Sequence, residues 1–453
     1  MPTQKVVILD GAASSEHDLS RILSVLSDVL RGDGADIETF PLREMKLAHC
    51  LGCFGCWVKT PGLCVEADAG REIAKAVIRS DITVWFTPVT FGGYSPDLKK
   101  MLDRFIQLIP PHFAMDHGEI HHPPRYAHRP RLLMVGVQRR PNAHEAHIFK
   151  TLAGRNAINF HPPSYAAEIV LATDNADALR QHFRALLTRS DTLPFGKLAA
   201  SLMPPPVTPG TPFAGHDEAR RALLIVGSPK TSSTSTSSVL GGYSLDHLKQ
   251  LGWETESLTL RASLHREEGQ RELLASVERA RLILLVFPLY VDSLPYLVTR
   301  ALTVIAAHRQ ADPGAAPQQL VGIVNSGFPE AHQNSVALAI CREFAAQCGF
   351  TWAGGLALGA GGMVGGQPLT EAQRTRSPFK HVFAALDLTA ASLAYGLPVP
   401  VEAVRMMSAK PIPFLPSALM HWLYVRIGGR GFEKEAAKNG VSKKELLARP
   451  YEA

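Results

Sequence analysis

Four of the six cysteines of the 453-residue chain fall within fifteen residues, at Cys50, Cys53, Cys56 and Cys64. Their spacing is C-x2-C-x2-C-x7-C. Two-residue gaps let successive sulfurs point into one small volume. Gly52 and Gly55 let the backbone curl, and Pro61-Gly62 returns the fourth cysteine. Four converging thiolates suit a [4Fe-4S] cluster or, less well, a tetrahedral zinc. A disulfide pair and four packed small hydrophobes are the alternatives.

A second pattern lies far downstream. Ser228, Lys230, Ser232, Ser233, Thr234 and Ser235 follow an apolar run and precede a helical one. Hydroxyls, an ammonium and backbone N–H groups at a helix N-terminus suit a phosphate. A flexible Ser/Thr linker is the alternative, but a linker is not normally pinned between a strand and a helix.

The elements that carry these residues alternate. In the first half, apolar β-type runs at 5–9, 37–40, 82–86, 131–137 and 167–171 are separated by helical patterns, among them 68–78 and 97–109. The alternation stops between Leu193 and Glu218, where Pro204-Pro205-Pro206, Pro209-Gly210 and Pro212 mark a linker. It restarts with runs at 221–226, 282–287 and 320–325. Strands alternating with helices imply an α/β fold, a parallel sheet with helices on both faces. Two copies are expected: residues 1–192 with the cysteines and 219–400 with the phosphate loop, then an appendage at 401–453. In such sheets ligands sit beyond the carboxyl ends of the strands.

Composition bounds the function. With 46% hydrophobic and 19% charged residues the chain is globular, and its net charge of +6 includes no Lys/Arg run longer than two. A dedicated nucleic-acid surface is therefore not expected. The start, Met1-Pro2-Thr3-Gln4-Lys5, lacks the pattern of a signal peptide, and clustered rather than framework cysteines point to a reducing, cytoplasmic setting. The apolar stretch 413–425 is too short and proline-broken to span a bilayer. It reads as a surface for a domain or a dimer partner, less readily for a membrane.

Gly227-Ser228-Pro229-Lys230 with its Ser/Thr run resembles the FMN phosphate loop of the flavodoxin-like NAD(P)H-dependent FMN reductases. Pro288, Leu289, Tyr290, Val291, Asp292 and Ser293 resemble the loop that holds the isoalloxazine ring, and Ser326 and Gly327 the third loop lining it. Pro88, Val89, Thr90, Phe91 and Gly92, with Leu98-Lys99 and Asp103-Arg104, resemble the same ring loop and its helix. The cysteine stretch through Asp68 resembles the iron-sulfur flavoproteins of this superfamily.

The resemblance implies two tandem flavodoxin-like doubly wound sheets of strand order 2-1-3-4-5. It implies FMN, NAD(P)H as electron donor and a small-molecule or protein acceptor, in a homo-oligomer or an intramolecular pseudo-dimer. A non-enzymatic flavin electron carrier or redox sensor is the alternative. No acid-base residue is nominated, because flavin hydride transfer need not use one. The first half's opening loop, Asp10 to Glu16, carries two acids and no Lys or Arg, and suits a phosphate poorly.

Other chemistry-bearing residues read as structural. His112, His117, His121, His122 and His128 crowd a loop at 110–130 without metal-site spacing, and are expected to be solvated or to cover a dimer partner. Cys341 and Cys348 are seven apart on a helical pattern, too far for a mutual disulfide, and are expected in the core. The glycines at 354–355 and 359–366 are expected to follow the last strand as a mobile loop.

Overall fold

The computed structural model describes residues 3–13, 17–195, 202, 220–230, 235–311, 317–364, 379–412 and 415–452. Most of the proline-rich linker, Ser14 to Glu16, Ser232 to Thr234, and Gly365 and Gly366 lie outside these residues. The chain divides into two compact units, Met1–Phe195 with Ser417–Ala453, and Gly196–Pro416.

In the first unit the strands are β1 (Gln4–Asp10), β2 (Ala35–Pro41), β3 (Ile82–Pro88), a small antiparallel hairpin of β4 (Ala114–Asp116) and β5 (Glu119–His121), β6 (Arg131–Gln138) and β7 (Tyr165–Leu171). The parallel sheet runs β2-β1-β3-β6-β7, which is 2-1-3-4-5 when the hairpin is left out. Helices α1 (His17–Gly32), α2 (Gly55–Val58), α3 (Ala69–Arg79), α4 (Pro96–Leu102), α5 (Ala143–Phe160) and α6 (Ala176–Thr188) fill the connections. The central strands are buried along almost their whole length, as strands covered on both faces must be. Helix starts carry their caps: Asp68 accepts from Gly70 N–H, Ser95 from Leu98 N–H ahead of Pro96, and Asn142 and Asn175 do the same for α5 and α6.

The second unit repeats the plan. Strands β8 (Arg221–Val226), β9 (Glu254–Thr259), β10 (Leu282–Pro288), β11 (Gln319–Asn325) and β12 (Thr351–Leu358) pair in parallel in the order β9-β8-β10-β11-β12, again 2-1-3-4-5. Helices α7 (Thr236–Gln250), α8 (Glu267–Arg279), α9 (Tyr296–Ala311), α10 (Ser335–Gln347), α11 (Lys380–Ala394) and α12 (Val401–Met407) are its main helices. Cys341 and Cys348 are buried, as expected. Gly354 and Gly355 do not follow the last strand; they lie inside β12, where a Cβ on Gly355 would come within 2.7 Å of Leu338.

Two further helices, α13 (Ser417–Ile427) and α14 (Arg430–Lys438), belong to the first unit. Helix α13 packs on the β4–β5 hairpin and α14 on α2. The histidine-rich loop is accordingly only partly solvated: His117 and His128 are exposed, as expected, but His121 and His122 are not. His121 and Glu119 are buried at an Arg155 guanidinium 2.6 Å from Glu119, and His122 packs between Trp57 and Phe113.

Candidate functional site

The cysteine loop begins after β2 and is forced into shape by local backbone. Gly52 (φ +63) and Phe54 (φ +54) are left-handed, and Phe54 starts the single turn α2 that carries Cys56. Gly62 (φ +83) then turns the chain back; a Cβ there would lie 2.6 Å from Pro450 Cδ. Cys50, Cys53, Cys56 and Cys64 all line one recess with Arg104, so the structure brings the four together. Among the described residues, no three His, Cys, Asp or Glu side chains are placed to hold a single metal ion.

Cations surround the thiols. The buried Arg104 guanidinium lies 2.6 Å from the Asp68 carboxylate and donates to the Ala48 and Glu66 carbonyls at 3.3 and 3.2 Å. Burial opposes its charge, but Asp68 and Cys64 outweigh burial and hold it above the usual range. Arg71 Nε donates to Cys64 O at 2.8 Å. Burial, with Asp103 adding to it, pushes the Cys50 thiol up to about 12; burial likewise raises Cys56. Empty of metal, this pocket therefore favours protonated thiols at Cys50 and Cys56, and bound metal is what would keep them ionised.

The last residues of the chain close over this loop. Trp57 stacks on Phe54 at 5.0 Å and meets Phe432 edge-on at 4.9 Å. Its indole donates to the Ile109 carbonyl at 2.8 Å. Arg125 donates to the Leu446 and Ala448 carbonyls at 2.9 and 2.7 Å, and Tyr451 reaches Gln107. Sequence reading missed Gln107, Arg125 and Tyr451, because only the folded chain puts them beside the cysteines.

The two sheets can be compared position by position through their own registers. Gly11 N–H donates to Phe86 O at 2.8 Å, and Gly227 N–H to Val286 O at 2.8 Å. Phe86 and Val286 face Asp10 and Val226 in the neighbouring strands, so Asp10 corresponds to Val226 and Ala12 to Ser228. The ring loops match likewise. Thr90 bridges Gly93 as Tyr290 bridges Ser293, and both central pairs are left-handed: Phe91 (φ +54) with Gly92 (φ +84), and Val291 (φ +50) with Asp292 (φ +53). A β-branched residue there is strained by about 1–3 kcal/mol, a conformation that persists where the surroundings impose it.

What fills the corresponding places differs. In the second unit Ser228 is buried at the end of β8, and its hydroxyl accepts the Lys230 N–H at 3.3 Å. Ser235 caps α7. Asn325, at the end of β11, donates to Ser237 Oγ at 2.9 Å and Phe287 O at 3.1 Å, tying the ends of β11 and β10 to the first turn of α7. A Cβ on Gly327 would meet nothing within 4 Å, so space is left beside Ser326. Ser228, Lys230, Ser235, the turn 288–293, Ser326 and Gly327 thus sit past the C-terminal ends of three adjacent strands; Ser232, Ser233 and Thr234 lie outside the described residues. Asn325 was not singled out in the sequence, though a polar residue ending so apolar a strand was its signal.

In the first unit the same places are taken from within. Asp10, buried, accepts the Ala12 N–H at 3.0 Å and pairs with Arg43 at 2.6 Å. Glu145 accepts the Gly92 N–H at 3.3 Å and the Gln138 side-chain amide at 2.8 Å. A Cβ on Gly92 would lie 2.6 Å from Ile148, so α5 presses on this ring loop.

A family profile described as NADPH-dependent FMN reductase matches residues 4–170. An iron-sulfur flavoprotein of Methanocaldococcus jannaschii is 30% identical over 100 residues, which are 22% of this chain and 51% of that protein. An iron-sulfur flavoprotein of Archaeoglobus fulgidus is 26% identical over 102 residues, 22% of this chain and 46% of that protein. The chain thus spans about half the length of the curated relatives it matches. Among solved structures, an NAD(P)H:quinone oxidoreductase from Methanothermobacter marburgensis aligns with 42% of this chain and 100% of its own, at 14% identity and a TM-score of 0.34. The family resemblance is borne out by the profile, which matches residues 4–170, and by the curated relatives.

Proposed function

We propose that this chain, a relative of the NADPH-dependent FMN reductases and iron-sulfur flavoproteins, is an FMN-dependent oxidoreductase. Its second unit holds the flavin and its first unit a [4Fe-4S] cluster. The observation that carries the reading is the register comparison: one phosphate-loop position holds Ser228, and its counterpart is Ala12 beside the Asp10 carboxylate. A phosphate dianion is favoured by hydroxyls and free N–H groups at a helix start, whereas in the first unit Asp10, paired with Arg43, already accepts the Ala12 N–H.

Ser228, Lys230 and Ser232 to Ser235 would hold the phosphate. The turn at Pro288–Ser293 with Ser326 and Gly327 would hold the ring, and Pro88–Gly92 would be the equivalent loop without a flavin of its own. The flavin, when bound, supplies hydride acceptance from NAD(P)H and release of electrons singly or in pairs. The protein's part is to fix the ring by backbone contacts from the strained turn.

The donor set suits a [4Fe-4S] cluster: four cysteine thiols at C-x2-C-x2-C-x7-C line one recess, the same four-thiolate set that a tetrahedral zinc would take. Arg104 and Arg71 would offset the charge of ligating thiolates. A spectrum of anaerobically purified protein, with iron, sulfide, zinc and FMN measured on one sample, tests the proposal. About four iron and one FMN per chain are expected; flavin without iron removes the cluster, and neither removes the function.

A further inference from the structure

Helix α13 carries an apolar stripe on its outer face. Leu419 (44% exposed), Trp422 (54%) and Val425 (37%) recur at three-residue spacing along one exposed arc of the helix with Arg426 within it, and Ile427 is exposed at the helix end. The opposite side is anchored: Met420 is buried, Tyr424 meets Phe113 edge-on at 6.0 Å, and a Cβ on Gly428 would come within 2.7 Å of Phe113. The stripe is therefore held outward by packing on the β4–β5 hairpin, on a helix far too short to span a bilayer.

Charge selects what can cover it. Residues 417–453 contain seven Lys/Arg against four Glu, a net +3. Three of those acids are paired locally, Glu433 with Lys443, Glu435 with Lys438 and Glu452 with Arg449. Arg426, Lys434 and Lys444 form no ion pair among the described residues. A second copy meeting this face across a two-fold axis would bring the same cations together. An anionic lipid surface instead accepts the apolar stripe at its acyl boundary, the indole at headgroup level and the cations among the headgroups.

We infer that α13, with Arg426 in its exposed arc and the basic residues that follow it in the chain, forms a docking surface for a bilayer carrying anionic lipids. The inference stands apart from the redox reading. If both hold, the adjoining α14, whose Phe432 packs on Trp57 of the cysteine loop, brings that loop close to acceptors dissolved in lipid.

The test is co-sedimentation of the full chain with vesicles of phosphatidylcholine alone or with about 30% phosphatidylglycerol, at low and high salt. Binding about tenfold or more tighter to the anionic vesicles, weakened by salt and lost in Leu419→Glu/Trp422→Glu with unchanged circular dichroism, is expected. Quenching of tryptophan emission by brominated lipid should also fall in Trp422→Phe. Absence of binding to anionic vesicles at low salt overturns the inference, as does binding that the double substitution leaves intact. A dimer dissociated by the substitutions, with no lipid bound, would assign the face to a second copy instead.

Discussion

Tyr451 donates its phenolic proton to Gln107 Oε1 at 3.0 Å, and the same oxygen accepts the Cys64 N–H at 2.9 Å. The next-to-last described residue of the chain and the fourth cysteine thus share one buried acceptor. Tyr451→Phe removes the donor and should cost about 1 kcal/mol. The urea midpoint should fall, and Cys64 should alkylate faster in the metal-free protein. An unchanged alkylation rate would separate the tail from the cysteine loop.

Gly62 tests the same closure from the other side. Its φ of +83 and the 2.6 Å from its would-be Cβ to Pro450 mean that Gly62→Ala both strains the turn and pushes the tail outward. A loss of about 2 kcal/mol is expected. Because both substitutions undock one segment, their costs should fall short of additive when combined. Additive losses in denaturant melts would mean that turn and tail act separately.

Flavin stoichiometry reports on the two strand ends. Val226→Asp transplants the first unit's carboxylate into the second and should reduce FMN content from about one per chain to near zero, as Ser228→Ala should weaken FMN binding about tenfold. Asp10→Ala should leave FMN content unchanged. Two FMN per chain in the parent protein would mean that Asp10 does not close the first unit to phosphate.

Apolar runs such as Val6 to Leu9 and Leu282 to Phe287 announce buried parallel strands, because a strand covered on both faces admits nothing else. The cysteine spacing and the two proline-marked ring loops are equally local signals. Asp10 reads from sequence only as an extra acid; its meaning comes from Arg43, 33 residues on, and from the free backbone N–H it occupies. The tail is less legible still. Trp57 meets Phe432, Arg125 meets Leu446 and Gln107 meets Tyr451, each across more than 300 residues, and no periodicity in 430–452 names its docking partner. The histidine-rich loop misleads in part for the same reason: polar composition implies solvent, which holds for His117 and His128, while Glu119, His121 and His122 are buried against Arg155, Trp57 and Phe113.

His122 gives the fold an acid limit that can be measured. Burial, aided by His121 and His112, lowers its pKa from 6.5 to about 4, although Nδ1 lies 2.8 Å from the His112 carbonyl. The imidazole sits between the Trp57 and Phe113 rings at 5.0 and 4.9 Å, where a charge loses its hydration. With the folded pKa depressed, the unfolded chain binds the extra proton first as pH falls. Stability from this group is complete above about 6.5 and is lost progressively toward 4, by about 3 kcal/mol in all. His122→Gln removes the titration, so its urea midpoint should drop less between pH 7 and about 4.5 than that of the parent protein. Parallel losses in the two proteins would assign the acid sensitivity to other groups; a smaller loss in the variant would place it under the cysteine loop, where protonation loosens Trp57 and the tail together.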